Sequence, residues 1–473
     1  PGEDTNRPLD QASSQPSLQR SVGAITAASL VVANCIGVGI FTTPGFLARD
    51  LGSPFAILAI WVLGAILALA GALSYSELGA AFPEAGGEYV YLREAYGPLW
   101  GFLTGWTSCV IAFPAPIAAA SIGVSAYLSH FAPLLSPDNI LWSVPLGSLQ
   151  LQLSGGQIFA LVIVWSLTLI HISSVRHGSR LQVGLTVIKV VALVAVIVLG
   201  VALGTGDWGH LQSGPEGLVP VGALRNGAVS LIFVLFSFSG WNAAAYIAGE
   251  MRQPHKTIPV SLLAGTGVVA LLYLGLNVVF LYGLGVSGMS GVLQVGEKAS
   301  LALFGPVATH LVSAFMALSI LASVSAMILV APRVYYAMAS DKLFPMRLAR
   351  VHPRFQTPAA AIVCLALWTS VLVLSGTFEQ LIVYAGFTLV FFSALAVGAV
   401  IVLRVRRPQL VRPFRVPLYP FVPLLFLAFA AWILIFTFRG RPTESLLGIA
   451  TVLLGLPLYF YWRRRGLSKT QDS

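Results

Sequence analysis

The chain has 473 residues, of which 57% are hydrophobic and only 9% charged, and it carries a net charge of +10. Soluble domains typically carry about 25% charged residues, so a water-soluble globular protein of this size is excluded. The positive residues cluster between apolar runs, which reads as membrane topology and not as a nucleic-acid surface. Residues 1–19 are polar and expected to form a disordered cytoplasmic N-terminus. No cleavable signal peptide is expected, because the apolar run after Arg20 is too long for one.

Apolar runs of about 20 residues, each able to cross about 30 Å of hydrocarbon, follow along nearly the whole length. Backbone groups in lipid must be satisfied internally, so the spans are expected to be helices. The alternating segments of about 10 residues that build a membrane β-barrel are absent. The spans are expected at 22–48, 54–81, 98–130, 157–172 and 180–203. A second group follows at 223–249, 258–284, 306–333, 357–376 and 378–403, then two more at 420–438 and 443–462. The expected fold is thus an all-α polytopic membrane protein of twelve helices. Cys35, Cys109 and Cys364 all fall inside spans, so no disulfide framework is indicated.

An even number of spans puts both termini on one side, and the positive-inside rule names it. Arg176, Arg180, Arg252, Lys256, Lys342, Arg347, Arg350, Arg354, Arg404, Arg406, Arg407, Arg412, Arg415 and Arg463–Arg465 lie on the side of the termini. The opposite loops carry only Arg49, Lys298, Arg439 and Arg441. Both termini are therefore expected in the cytoplasm. Residues 463–473 form the cytoplasmic tail.

Two stretches are poor membrane helix. One is Ile36-Gly37-Val38-Gly39-Ile40-Phe41 in span 1, and the other is Phe236-Ser237-Phe238-Ser239-Gly240-Trp241-Asn242 in span 6. Irregular backbone at membrane depth is tolerated only where it lines a cavity or is buried in protein. A lone Gly-x-Gly reads as close helix packing. Matched breaks in corresponding positions of two five-span halves instead point to inverted repeats with discontinuous helices. A half-helix beginning at Gly39 offers free N–H groups and a positive dipole end to a carboxylate. A half-helix ending near Ser237 offers free carbonyls to an ammonium.

Lys189 lies midway through the apolar run Leu185–Leu199. An ionisable residue at membrane depth is a functional candidate, although a long side chain can also snorkel to an interface. Its ammonium is expected to bond the carbonyls of the span 1 break and Ser323 or Ser325. Glu77 is expected to pair structurally with a loop, and Glu250 to face Arg252 and Lys256. The histidines are scattered and read as structural. No HExxH, Gly-x-Ser-x-Gly elbow, Walker A loop or Cys/His metal spacing occurs. The chain is therefore expected not to be an enzyme and to need no cofactor or metal, with transport driven by a gradient.

These residues resemble a known group. Ile36–Phe41 with Pro44 is similar to the first helix of the amino acid–polyamine–organocation superfamily. Tyr75-Ser76-Glu77-Leu78-Gly79, Pro83, Gly86-Gly87-Glu88-Tyr89-Val90-Tyr91 and Gly97 resemble its second helix and following loop. Phe236–Asn242, Gly249–Pro259, Arg333–Asp341 and Phe344-Pro345 are similar to the L-type amino acid transporter branch. The resemblance covers residues 20–405. It implies the leucine-transporter-type fold, with one inverted repeat at 20–203, a second at 223–403, broken helices 1 and 6, and two extra helices within 404–462.

The resemblance also implies site roles. The backbone of Gly37, Val38 and Gly39, with Ile40 beside it, takes a substrate carboxylate. Carbonyls of Ile36, Phe236, Ser237 and Ser239 take the α-amino group. Phe236 gates the substrate, Gly240 forms the break, and Trp241 lines or closes the pocket. Lys189 stands where relatives bind sodium, implying sodium-independent uptake or exchange. Many L-type members carry a hydroxyl residue at the position of Val38, so one carboxylate bond is absent here. Animal members join a heavy subunit through a cysteine before span 4, and residues 131–156 hold none. The expectation is a monomer in the inner membrane of a bacterial cell, with the bilayer and a small amino acid as partners.

Spans 1, 3 and 8 hold no Asp or Glu for a cationic side chain. A neutral substrate of small or medium size is therefore expected. The alternatives are a cationic amino acid or polyamine transporter, with proton coupling open to it, and a transporter-like sensor or channel.

Overall fold

The computed structural model describes residues 20–146, 149–173, 175–212, 223–355, 357–375 and 378–471. The expected disordered N-terminus at 1–19 lies outside the described residues. Helices dominate: α1 Ala24–Cys35, α2 Gly39–Leu51, α3 Pro54–Ala81, α4 Glu88–Tyr96, α5 Pro98–Thr107 and α6 Pro114–Leu128. After a short hairpin come α7 Gly155–Ser173, α8 Val175–Leu203, α9 Ala223–Ser237, α10 Ala243–Tyr246 and α11 Pro254–Met289. The chain closes with α12 Val295–Val330, α13 Pro332–Ser340, α14 Ala359–Ser375, α15 Phe378–Arg406, α16 Phe421–Gly440 and α17 Pro442–Gln471.

Among the described residues, nine helices are long and apolar enough to cross a bilayer, or ten if the bent pair α1–α2 is one span. Asn226–Ser237 and Ala359–Leu374 are apolar but shorter. The chain is thus a polytopic helical membrane protein.

Helix ends follow local chemistry. Pro54 opens α3 behind Ser53, whose hydroxyl accepts from the Ala56 amide at 3.5 Å, because proline suits a first turn that lacks a partner for its N–H. Span 3 divides into α5 and α6 at a π-helical segment, Ser108–Ala112, that ends at Phe113-Pro114. Span 8 starts later than α12 does. Gly305, at φ 77°, breaks the helix just before Pro306, the position where span 8 is expected to begin.

One element departs from an all-α fold. Strands β1 Ile140–Leu146 and β2 Leu149–Ser154 pair antiparallel between α6 and α7, with Ile140 opposite Ser154 and Leu146 opposite Leu149. The run Leu149-Gln150-Leu151-Gln152-Leu153-Ser154 alternates with period two, which suits a strand with one apolar face.

Small residues let the helices approach closely. A Cβ on Gly64 would lie 2.3 Å from Val234 of α9, and one on Gly265 of α11 would lie 2.7 Å from Val31 of α1. Helix α3 packs on α11, α2 on α9, α6 on α12 and α7 on α14.

Glu77 ties α3 to the segment after α15. It accepts from Arg404 Nε at 2.9 Å and Nη2 at 2.6 Å, and from the Val416 amide at 2.8 Å. Arg412 Nε lies 3.4 Å away. Glu77→Ala removes the carboxylate that Arg404 and the 8% exposed Arg412 share, and breaking such a pair costs up to about 3–5 kcal/mol. The expected result is a shorter half-life of the folded protein in detergent at fixed temperature, read by size-exclusion chromatography.

Glu250 behaves differently from expectation. It does not face Arg252 and Lys256 but pairs with Arg333 at the start of α13, Nε to Oε1 at 2.8 Å, with both side chains buried. The reason is that α9–α11 fold back onto α12–α13, which brings the residues together across 83 positions.

Candidate functional site

The two breaks lie against each other in the buried interior. Helix α1 ends at Cys35 and α2 begins at Gly39, with the two bent by 40°. The Gly37 amide turns back to the Cys35 carbonyl at 2.8 Å, and Phe41 N–H bonds the Val38 carbonyl at 3.1 Å. Among the described residues, the amides of Val38, Gly39 and Ile40 donate to no carbonyl or side chain. Orphan amides at a helix start are expected, but three together inside a protein core require a partner.

The second break begins where α9 ends at Ser237. Ser239 N–H bonds the Phe236 carbonyl at 2.9 Å and Trp241 N–H bonds the Phe238 carbonyl at 3.1 Å. Gly240 has φ 110°, a conformation that glycine reaches at no steric cost. A side chain there would also collide, because a Cβ would sit 2.6 Å from that of Asn34 on α1. A Cβ on Gly39 would sit 2.7 Å from Ser237 Oγ and 2.8 Å from its Cα. Both glycines therefore let one broken helix touch the other.

Side chains stitch the junction. Thr43 and Ser237 hydroxyls lie 2.9 Å apart, and Cys35 Sγ donates to the Phe238 carbonyl at 3.3 Å. Tyr273 of α11 reaches both breaks. Its hydroxyl lies 2.6 Å from the Cys35 carbonyl and 2.8 Å from that of Ser237. A single hydroxyl proton is thus shared between the ends of α1 and α9. Tyr273→Phe removes it without changing ring packing. At about 1 kcal/mol for a net hydrogen bond, a roughly fivefold lower initial rate of uptake into proteoliposomes is expected, with little change in protein yield.

Lys189 is 1% exposed. It donates to the Ile36 carbonyl at 2.6 Å and the Ala33 carbonyl at 3.3 Å. The expected bonds to the span 1 carbonyls are present, and the expected bond to a serine hydroxyl is not. Ser323 instead donates to the Asn34 carbonyl at 3.4 Å, and Ser325 pairs with His171 Nε2 at 2.9 Å. Ser323 still borders the break, since a Cβ on Gly37 would meet its Oγ at 2.9 Å, whereas Ser325 is turned to His171 of α7. An ammonium at the end of α1 complements the negative end of that helix.

The carbonyls named for a substrate ammonium are unequally free. Ile36 already accepts from Lys189, Ser237 from Tyr273 and Phe236 from Ser239. Each keeps a second lone pair. The Ser239 carbonyl accepts nothing among the described residues.

Two cavities flank the second break. One, of about 40 Å³, is lined by Phe236, Ser239, Gly240, Trp241, Asn242 and Ser393 among others. The other, of about 30 Å³, shares Ser239, Gly240 and Asn242 and adds Asn34, Phe113 and Tyr246. Trp241 stacks edge-on against Tyr75 with ring centroids 4.6 Å apart, and its far edge covers Gly71.

A buried carboxyl that sequence reasoning missed sits behind Asn242. Glu88, 3% exposed, accepts from Tyr75 Oη, from Asn242 Nδ2 at 2.9 Å and from Ser393 Oγ at 3.4 Å. The signal was local. Glu88 stands among apolar and aromatic residues in Gly86-Gly87-Glu88-Tyr89-Val90-Tyr91, a poor setting for a loop carboxylate that faces water.

A profile of the family described as amino acid permease matches residues 22–457. The chain belongs to that family. The permease is 31% identical over 458 residues to the serine/threonine exchanger SteT of Bacillus subtilis, covering 95% of this chain and 98% of the relative. It is 30% identical over 485 residues to the mouse large neutral amino acids transporter small subunit 2, covering 98% and 86%. It is 29% identical to the mouse Asc-type amino acid transporter 1, covering 96% and 84%. The family and these relatives are transporters and exchangers, not enzymes.

Proposed function

We propose that this permease carries neutral L-amino acids across the membrane, by sodium-independent uptake or exchange and by alternating access. The observation that carries the reading is the junction of the two breaks, where three free amides of α2 stand beside the carbonyl end of α9. The amides of Val38, Gly39 and Ile40 bind the carboxylate, without a hydroxyl at Val38, while Gly37, whose amide is already bonded to the Cys35 carbonyl, shapes the break. Carbonyls of Ile36, Phe236, Ser237 and Ser239 receive the ammonium, the Ser239 carbonyl being the freest. Phe236 gates the site and Trp241 closes it. Lys189 is a fixed cation that neutralises the end of α1, in the place a sodium ion takes in other transporters of this fold. Ser323, on the Asn34 carbonyl, moves with the break, and Ser325 links that part of α12 to His171 of α7.

The architecture proposed is two inverted five-helix repeats, at 20–203 and 223–403, followed by two helices within 404–462. The packing partners support it. A repeat related by a pseudo-two-fold axis pairs each span with the one five later, and α2 on α9, α3 on α11, α6 on α12 and α7 on α14 are such pairs. Loop charge supports cytoplasmic termini in an inner membrane. Cys35 and Cys109 are buried and Cys364 is half-buried, which supports a single chain working without a disulfide-linked subunit.

The test is counterflow in proteoliposomes with and without internal amino acid, at two external pH values. Exchange predicts uptake only into loaded vesicles, unaffected by sodium. Competition by serine, alanine or leucine should exceed that by arginine, putrescine or glutamate. Stronger competition by arginine would reverse the assignment of substrate charge.

A further inference from the structure

Two further cavities lie along a single seam between α5 and α17, away from the broken helices. The first, of about 550 Å³, is lined by Pro98, Asp341, Lys342, Tyr459, Trp462 and Arg463 among others. The second, of about 510 Å³, lies further along the same helices, with α15 and α16 beside it, and is bordered by Leu103, Phe391, Ile449, Val452, Leu453 and Leu456 among others. Ile449, Val452, Leu456, Tyr459 and Arg463 recur at steps of three and four, so they share one face of α17. From Ile449 to Arg463 that face runs for about 21 Å, close to the thickness of one leaflet with its headgroup layer, about 20 Å.

The charge in the outer cavity is unbalanced. Its carboxylate, Asp341, already accepts from Arg93 Nη1 at 2.6 Å and Tyr89 Oη at 2.5 Å. Arg93 also pairs with Glu84 at 2.9 Å. Lys342 and Arg463 have no carboxylate partner among the described residues, and the Arg463 guanidinium lies 6.0 Å over the Tyr459 ring. Two unpaired cations beside two aromatic rings suit a phosphate at the membrane interface. With Asp341 engaged, nothing there is free to receive a headgroup ammonium. The apolar second cavity, further along the same face of α17, suits an acyl chain and not a soluble anion. Neighbouring Leu454 and Phe460 are 62% and 51% exposed, as expected of a helix that faces lipid.

We propose that the α5–α17 seam is a binding site for an anionic glycerophospholipid, its phosphate held by Lys342 and Arg463 and one acyl chain lying along the groove from Leu456 to Ile449. The inference does not depend on which amino acid the permease carries.

The test uses the full-length protein and native mass spectrometry, titrating phosphatidylglycerol and phosphatidylcholine of matched acyl chains. Each cation near an anionic headgroup is worth several-fold in affinity, so the wild type should prefer phosphatidylglycerol by about 20-fold. The double variant Lys342→Asn/Arg463→Gln should bring that preference within about twofold. Asn is chosen because Lys342 has φ 59°, which Asn tolerates. A second variant, Val452→Trp, fills the groove and should weaken both lipids while keeping the preference. Inorganic phosphate should not displace bound lipid. Equal affinity for the two lipids, a preference that survives the double variant, unchanged binding in Val452→Trp, or displacement by inorganic phosphate would each overturn the proposal.

Discussion

Lys189→Ala should cut the rate of exchange by about 100-fold while weakening equilibrium substrate binding far less. The ammonium is 1% exposed and holds the carbonyls of Ala33 and Ile36 at the end of α1. Removing it leaves two buried acceptors unpaired at the point where the broken helix must move. Leaving a buried acceptor unpaired costs about 1–3 kcal/mol, so two of them can account for about 3 kcal/mol, which is roughly 100-fold. The loss should fall on interconversion between states, because Lys189 supports the break from behind and does not stand between the free amides and the cavities. Lys189→Met keeps most of the volume and removes the charge. Equal defects in the Ala and Met variants assign the effect to charge, and wild-type exchange kinetics in either would refute it. The measurement is initial counterflow rate in proteoliposomes, set beside substrate binding by scintillation proximity on the same preparations.

Gly39→Ala should abolish measurable transport by closing the junction itself. The added methyl would stand 2.8 Å from the Ser237 Cα, which is backbone and cannot swing aside. The end of α9 would be pushed away, and the three free amides of α2 would lose their register with the carbonyls opposite. Overpacking a buried site costs about 1–3 kcal/mol, so the protein should still fold. Substrate affinity should fall by about 10-fold or more. Gly267→Ala on α11 is the control, since nothing lies within 4 Å of its Cβ position. That variant should transport normally.

Much of this architecture is legible in the sequence because lipid permits so few solutions. Span positions follow from apolar length, and the bend between α1 and α2 falls where Gly37 and Gly39 interrupt an apolar run. Matched placement of the Ser237–Gly240 stretch identified the second break. What pattern does not reveal is pairing across the chain. Glu250 finds Arg333, and Lys189 reaches the expected carbonyls of the first break but neither Ser323 nor Ser325, because the exposed backbone already occupies its ammonium. Tyr273 resembles any other aromatic in an apolar helix, yet its hydroxyl joins α1 to α9. Glu88 was hidden by its place between spans, outside the segments searched for buried charge. The β1–β2 hairpin shows its alternation plainly but is brief beside the apolar runs that surround it.

The central claim is that the half-helix amides at Val38–Ile40 hold a substrate carboxylate while the opposed carbonyls hold its ammonium. Competition of labelled neutral amino acid counterflow by alanine, alaninamide and N-acetylalanine tests it most directly. Alanine should compete, and the two derivatives, each lacking one of the recognised charges, should not. Competition by alaninamide as strong as that by alanine would contradict the carboxylate site.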